Sequence, residues 1–131
     1  MREKNQSWPG KDPRKKFGTE GETLARAYLE ERGYRWLASG YSSKWGEIDL
    51  IMEHERSIVF VEVKRRRGSD FGPPEEAITE FKKNHIVRSA LLFLQSRGYE
   101  ERSIRFDVVT MDPEGLRHYI NAFEAGNQFY Y

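Results

Sequence analysis

Two adjoining strand-like runs constrain this chain more than any other feature. They are Gly46-Glu47-Ile48-Asp49-Leu50-Ile51-Met52-Glu53 and Ser57-Ile58-Val59-Phe60-Val61-Glu62-Val63-Lys64, both dominated by β-branched, long apolar and aromatic residues. With His54-Glu55-Arg56-Ser57 as the loop of a hairpin, Glu53 pairs with Ile58, and counting back places Asp49 opposite Glu62. Side chains alternate with period two, so Asp49, Glu62 and Lys64 share one face, while Ile48, Leu50 and Met52 lie with Val59, Val61 and Val63 on the other. A loop shorter by one residue would turn Asp49 away from Glu62, and the continuous apolar surface selects the register that brings them together. Opposed Cβ atoms stand roughly 5 Å apart, close enough for one cation to bridge two carboxylates that would otherwise repel.

The second run is apolar on both faces, which predicts a central strand, where a carboxylate is costly unless paired or metal-bound. Hydrolysis of a phosphodiester needs charge stabilised on phosphorus and a water made nucleophilic, both within the chemistry of Mg²⁺ or Mn²⁺ held by carboxylates. Asp49 and Glu62 fit as metal ligands, with the backbone carbonyl of Val63 as a third, and Lys64 fits as the group that holds the water or neutralises the transition state. The bare spacing of these residues is a weak signal, since an alternating Glu-x-Lys pair is also a common surface pattern. Glu47 falls on the Asp49 face and is a second choice. Glu22 admits two readings: a further acid reaching the site from a helix, or the closing residue of a capping box in Thr19-Glu20-Gly21-Glu22.

The chain has 131 residues, enough for one compact domain, and no cysteine, which excludes disulfides, thiolate catalysis and Cys-ligated metal centres. No run of about 18 apolar residues exists, and the start of the sequence is polar and basic, so the expectation is a cytoplasmic protein without membrane association. A formal net charge of +1 conceals segregation. Arg2, Lys4, Lys11, Arg14, Lys15 and Lys16 face only Glu3 and Asp12 in the first sixteen residues, best read as a flexible basic leader over 1–16. Lys64-Arg65-Arg66-Arg67, directly after the carboxylate strand, is a block of candidate phosphate contacts, and Arg65, Arg66 and Arg67 are assigned to nucleic acid.

Apolar spacing predicts a first helix over residues 19–32, with Leu24, Ala25, Tyr28 and Leu29 on one face and Gly33 as the stop. A short strand over 34–38 and a polar loop over 39–44 lead into the hairpin. Two prolines and two glycines in 68–74 break the chain. A long amphipathic helix over 75–97 follows, carrying Ile78, Phe81, His85, Ile86, Ala90, Leu91, Phe93 and Leu94 and ending at Gly98. A strand over 104–110, the turn Asp112-Pro113-Glu114-Gly115 and a further short strand over 116–120 complete the order. The order α-β-β-β-α-β, with one more short strand, predicts an α/β fold with helices on both faces of a mixed sheet, in one domain over 17–123 followed by an aromatic tail over 124–131.

His54, His85 and His118 are too dispersed to form a metal or nucleophile constellation and read as structural or exposed. Lys82 is a better candidate than Lys83 for a phosphate contact from the long helix. Trp36, Trp45, Phe71 and the terminal Phe129-Tyr130-Tyr131 could stack on bases, although packing or a loose tail explains each more readily.

Gly18-x-x-Gly21-Glu22 with Ala25 and Tyr28-Leu29, then Gly46-Glu47-Ile48-Asp49-Leu50-Ile51, Val59-Phe60-Val61-Glu62-Val63-Lys64 and Arg105-Phe106-Asp107-Val108-Val109, resemble the bacterial YraN-type family over about residues 17–123. That family in turn resembles archaeal Holliday junction resolvases and the restriction-endonuclease-like fold. The resemblance implies a central mixed sheet flanked by helices, with Asp49, Glu62 and Lys64 as an Asp…Glu-x-Lys nuclease core. It also implies Glu22 as the helix-borne fourth member and Lys82 as a phosphate contact. Where the family pattern commonly has an Asn followed shortly by a basic residue, this chain has Gly40-Tyr41-Ser42-Ser43-Lys44. The leading expectation is a divalent-metal-dependent DNA endonuclease, selective for branched or distorted DNA and acting as a homodimer. The alternative is a non-catalytic nucleic-acid-binding accessory of the same fold, and a protein-interaction domain ranks last.

Overall fold

The central hairpin forms as its pattern dictates. In the computed structural model, which describes residues 13–66 and 78–125 with side chains from Glu20 onward, strands β2 (Gly46–His54) and β3 (Ser57–Arg65) pair antiparallel from His54↔Ser57 to Leu50↔Val61. This is the expected register, but the loop is two residues rather than four. Glu55 and Arg56 both take positive φ, 50° and 76°, the geometry of a type I′ turn whose twist matches the flanking strands.

Around the hairpin run β1 (Arg35–Ser43), β4 (Ser103–Asp112) and β5 (Gly115–Phe123), giving a sheet ordered β1-β2-β3-β4-β5. All neighbours are antiparallel except β3 and β4, which are parallel in unbroken register from Ser57↔Ser103 to Arg65↔Met111. A parallel pair needs a crossover, and the chain between β3 and β4 contains helix α2 (Glu80–Arg97). The expected central position of β3 is borne out, and the sheet is mixed.

The two helices cover opposite faces. Ala25 and Leu29 of α1 (Pro13–Glu31) pack with Tyr34, Leu50, Met52, Val59, Val61, Val109 and Met111. Ile86, Val87, Ala90, Phe93 and Leu94 of α2 pack with Ile48, Ile51, Ile58, Phe60 and Phe106 on the other side. Both helices end on a glycine in the left-handed region, Gly33 and Gly98. In each case the next residue's N–H bonds back five residues, Tyr34 to Leu29 O at 3.1 Å and Tyr99 to Leu94 O at 2.8 Å. Thr79 caps α2, its hydroxyl accepting the Lys82 N–H at 3.1 Å.

Several boundaries differ from the sequence reading, each for a physical reason. Residues 39–43, expected as loop, extend β1, because Tyr41 pairs with Ile48 and packs edge-on against Phe93 at 5.3 Å. The first helix starts at Pro13, a favourable first-turn residue, and not at Thr19. The second starts at Glu80, five residues later than expected. Leu24 and Phe81, read as apolar-face positions, are 51% and 72% exposed. Ile48 packs with Ile51 rather than with Leu50 and Met52, since β2 stays paired to β1 as far as Gly46 but leaves β3 after Leu50, which breaks the alternation there. The last strand is longer than expected, running to Phe123 with a register shift opposite Phe106/Val108.

Candidate metal centre

The separation of β2 from β3 creates the site. One step beyond the last cross-strand pair, Asp49 reaches across the opening, and its Oδ2 accepts the Val63 N–H at 2.7 Å. A carboxylate thus occupies the place of the next ladder bond. Past Leu50↔Val61 the strands no longer pair, so the expected Asp49–Glu62 cross-strand pair does not form as a ladder pair; Asp49 instead meets the Val63 backbone, with the Glu62 carboxylate near enough to act on it by charge.

Helix α1 brings a third acid to the same place. Gly21 lies so close to the sheet that a Cβ there would touch Met111, Arg65 and Val63 at 3.4 to 3.7 Å, and the next residue is Glu22. Ligand oxygens of Glu22, Glu47 and Asp49 lie within 4.8 Å of one another. Because α1 begins at Pro13, Thr19 and Glu22 sit inside the helix, and the capping-box reading of Glu22 fails. Glu47, the second choice from sequence, belongs to the acidic trio, and its spacing of two from Asp49 was the signal for it.

Glu62 closes the site from β3. It is 5% exposed, and its Oε2 receives Lys82 Nζ of α2 at 3.3 Å and Lys64 Nζ at 3.7 Å. Its other oxygen, Oε1, is buried with no hydrogen-bond partner among the described residues. A buried carboxylate oxygen without a donor is costly, and such an atom, with Asp49 and Glu22 near enough to interact by charge, fits a cation ligand. Burial, then the charge of Glu62, pushes the Asp49 carboxyl up to about 8, against the lowering effect of the Val63 hydrogen bond. Glu22 is likewise raised, by burial first and then by Glu47, with Asp49 partly offsetting the rise through a hydrogen bond. Asp49 and Glu22 are thus both raised, by burial first and by neighbouring carboxylates after it, and a divalent cation is a partner that would relieve the two together.

Of the expected site residues, Asp49, Glu62, Lys64, Glu22 and Lys82 converge on this opening. Val63 supplies a backbone N–H to Asp49. The basic block divides: Arg65 donates to Glu20 of α1 at 3.3 Å, the Arg66 N–H continues the β3–β4 pairing to Met111 O at 2.7 Å, and Arg67 lies outside the described residues, as do Phe71 and Phe129-Tyr130-Tyr131. The histidines take no part in the acidic site. Sequence reading missed a buried network on the α1 side. There Asp107, fully buried, accepts from Arg105 at 2.9 Å through both oxygens, from His118 Nε2 at 2.7 Å and from the Asn121 N–H at 3.0 Å. Asn121, at φ 56°, is the irregular residue of β5, so Asp107 secures that irregularity. No helix among the described residues is long and apolar enough to cross a membrane.

The chain is 42% identical over 113 residues to a "UPF0102 protein" of Syntrophomonas wolfei, covering 83% of this chain and 98% of that one. It is 36% identical over 130 residues to a "UPF0102 protein" of Pelobacter propionicus, covering 94% and 93%. Among solved structures, "Crystal structure of SSO0001" is similar with a TM-score of 0.43 and 18% identity, over 83% of this chain and 51% of that chain. The model of the uncharacterised protein family UPF0102 matches residues 21–111, a span that contains Glu22, Glu47, Asp49, Glu62, Lys64 and Lys82. As the YraN-type strings led one to expect, the chain belongs to the family UPF0102.

Proposed function

We propose that this protein is a divalent-metal-dependent DNA endonuclease that hydrolyses phosphodiester bonds. The observation that carries this reading is Glu62: one oxygen buried without a donor, the other shared by two lysines, beside the trio Glu22, Glu47 and Asp49. Asp49, Glu62 and the backbone of Val63 would hold Mg²⁺ or Mn²⁺, with Glu22 and Glu47 completing the acidic surround. A bound cation of this kind supplies Lewis-acid stabilisation of charge on phosphorus and a water of lowered pKa.

The chain's own residues supply the rest. Lys64, anchored on Glu62 and about one-third exposed, is held at the edge of the opening, where it can neutralise charge developing on a phosphoryl oxygen. Lys82 is placed from α2 toward the same carboxylate and is more exposed, which suits a phosphate contact. Nothing in this arrangement reads bases, which supports recognition of DNA by backbone and shape and hence a preference for branched or distorted substrates.

The test is incubation of purified protein with branched, flapped, single-stranded and linear DNA plus Mg²⁺ or Mn²⁺, beside Asp49→Ala and Glu62→Gln. The reading expects cleavage by the wild type and none by either variant. Equal cleavage by all three, or none by the wild type on any substrate, contradicts it.

A further inference from the structure

Phe81 is the most exposed large apolar side chain among the described residues, at 72%, although it sits in the first turn of a helix whose inner face, from Ile86 to Leu94, is buried. It is not isolated. Its ring lies 4.1 Å from that of His85, and His85 lies 5.8 Å from Trp45 in the β1–β2 turn. The His85 ring is fixed by the Phe81 carbonyl, which accepts from Nδ1 at 2.9 Å, and this assigns the proton to that nitrogen. The Trp45 turn is fixed too: Ser43 Oγ accepts the Trp45 N–H at 3.0 Å and is 2.7 Å from Oγ of buried Ser89 on α2. Two cations lie over the indole of Trp45, Arg88 at 4.7 Å and Lys44 at 5.4 Å. A row of three rings therefore links the β1–β2 turn to the start of α2, with basic groups at its Trp45 end and Lys82 next to Phe81 in the chain.

Chain neighbours tie this row to the acidic opening. Phe81 precedes Lys82, whose Nζ is 3.3 Å from Glu62, and Trp45 stands two residues before Glu47 of the acidic trio. Duplex DNA offers such a surface backbone and groove edges but no base faces, because its bases are stacked on each other. A strand with unpaired bases offers π-faces to an exposed ring and phosphates to the cations around it. An exposed ring in a row whose far end carries cations stacked on an aromatic face matches that ligand in both shape and charge.

We infer that Phe81, with His85 and Trp45, is a stacking platform for unpaired nucleotides of the DNA substrate, and that Lys82, Lys44 and Arg88 take the adjoining phosphates. This rests on the proposed function for its choice of partner and narrows it: the substrate carries a single-stranded segment at the site of cutting.

The test is a titration of protein against a short fluorescein-labelled oligothymidylate and against a blunt duplex of the same length, in EDTA so that cleavage plays no part. Wild type should prefer the single strand. Phe81→Ala should weaken single-strand binding by roughly 5- to 150-fold and leave duplex binding little changed. Phe81→Leu, which keeps apolar bulk without a π-face, should show the same loss, and Phe81→Tyr should retain binding. Because Phe81 is exposed, both truncating variants should melt like the wild type, which separates lost stacking from lost folding. Wild-type binding as tight to blunt duplex as to single strand, or undiminished binding by Phe81→Ala, overturns the platform, as does retained binding by Phe81→Leu. A wild type that cuts nothing yet shows the Phe81 effect would retire the nuclease and keep the platform. A cutting enzyme indifferent to Phe81 would do the reverse.

Discussion

Asp49 Oδ2 takes the backbone N–H of Val63 at 2.7 Å, one step past the point where the hydrogen-bonded pairing of β2 and β3 stops. That single contact converts a gap in a sheet into a site, because it turns a carboxylate inward beside Glu62 instead of leaving it on the strand's surface. Its ionisation follows. Burial and the neighbouring Glu62 raise its carboxyl to about 8 from an unfolded value of 3.8.

The sign of the resulting pH dependence is fixed by that direction. A carboxyl raised in the folded state contributes stability that is fully present below pH 3.8 and is lost as pH rises through about 8. The ion-free protein should therefore lose part of its stability across this window in thermal unfolding. Mg²⁺ or Mn²⁺, which binds the ionised form, should restore it and release a proton on binding. In calorimetry run in buffers of different ionisation enthalpy, the Asp49→Asn variant should release fewer protons than the wild type or none.

Asp107 makes the opposite case. Burial, the largest influence, pushes its carboxyl up, but hydrogen bonds from His118, Arg105 and the Asn121 N–H outweigh it and hold the group below its ordinary value of 3.8. Its contribution is present above that pH and is lost as pH falls through the lower folded value. Asp107→Ala strands Arg105 and His118 together without their common acceptor and should cost about 3 to 5 kcal/mol in urea unfolding. The acidic opening lies elsewhere, so any protein that does fold should keep its metal binding.

The β2–β3 turn holds Glu55 and Arg56 in the left-handed region without a glycine. Arg56 contributes its carbonyl to Arg102, at 3.0 Å from Nη2, a contact that needs no side chain at position 56. Arg56→Gly should accordingly raise stability by about 1 kcal/mol, readable as a higher denaturation midpoint at unchanged slope.

Glu22 owes its position to the close approach of α1 at Gly21, where even a Cβ is already in contact with Met111. Gly21→Val should push the helix off the sheet, costing about 1 to 3 kcal/mol by overpacking and weakening divalent-ion binding through displacement of Glu22. Gly21→Ala, whose added methyl would lie no closer than 3.4 Å to its neighbours, should be far milder in both measurements.

Much of this was legible in the sequence, and the reasons are particular. The hairpin register followed from Val59, Val61, Leu50 and Met52 needing one common face, and it holds from His54↔Ser57 to Leu50↔Val61; Asp49 and Glu62 lie just past its end, where the strands part. The helix ends at Gly33 and Gly98 followed from the one residue type that enters the left-handed region without cost. The strand β1 was misread because Gly40 and the serines around it are turn formers, while its pairing with β2 is a tertiary fact. Ile48 was placed on the wrong face because period two holds only while a strand stays paired on both sides. Asp107 looked like the polar half of an alternation, and nothing local distinguishes a solvated acid from one that gathers Arg105, His118 and Asn121 around it. Glu22 stayed undecided until the helix start was known, since a capping box and a site acid are written with the same letters.

The most direct measurement is a calorimetric titration of Mn²⁺ into the wild type and into Glu62→Gln, which keeps the side chain's shape and removes its charge. The account predicts saturable binding by the wild type and a loss of affinity in the variant of at least the order of 10- to 100-fold. Equal binding by the two proteins would contradict the metal centre and the nuclease built on it.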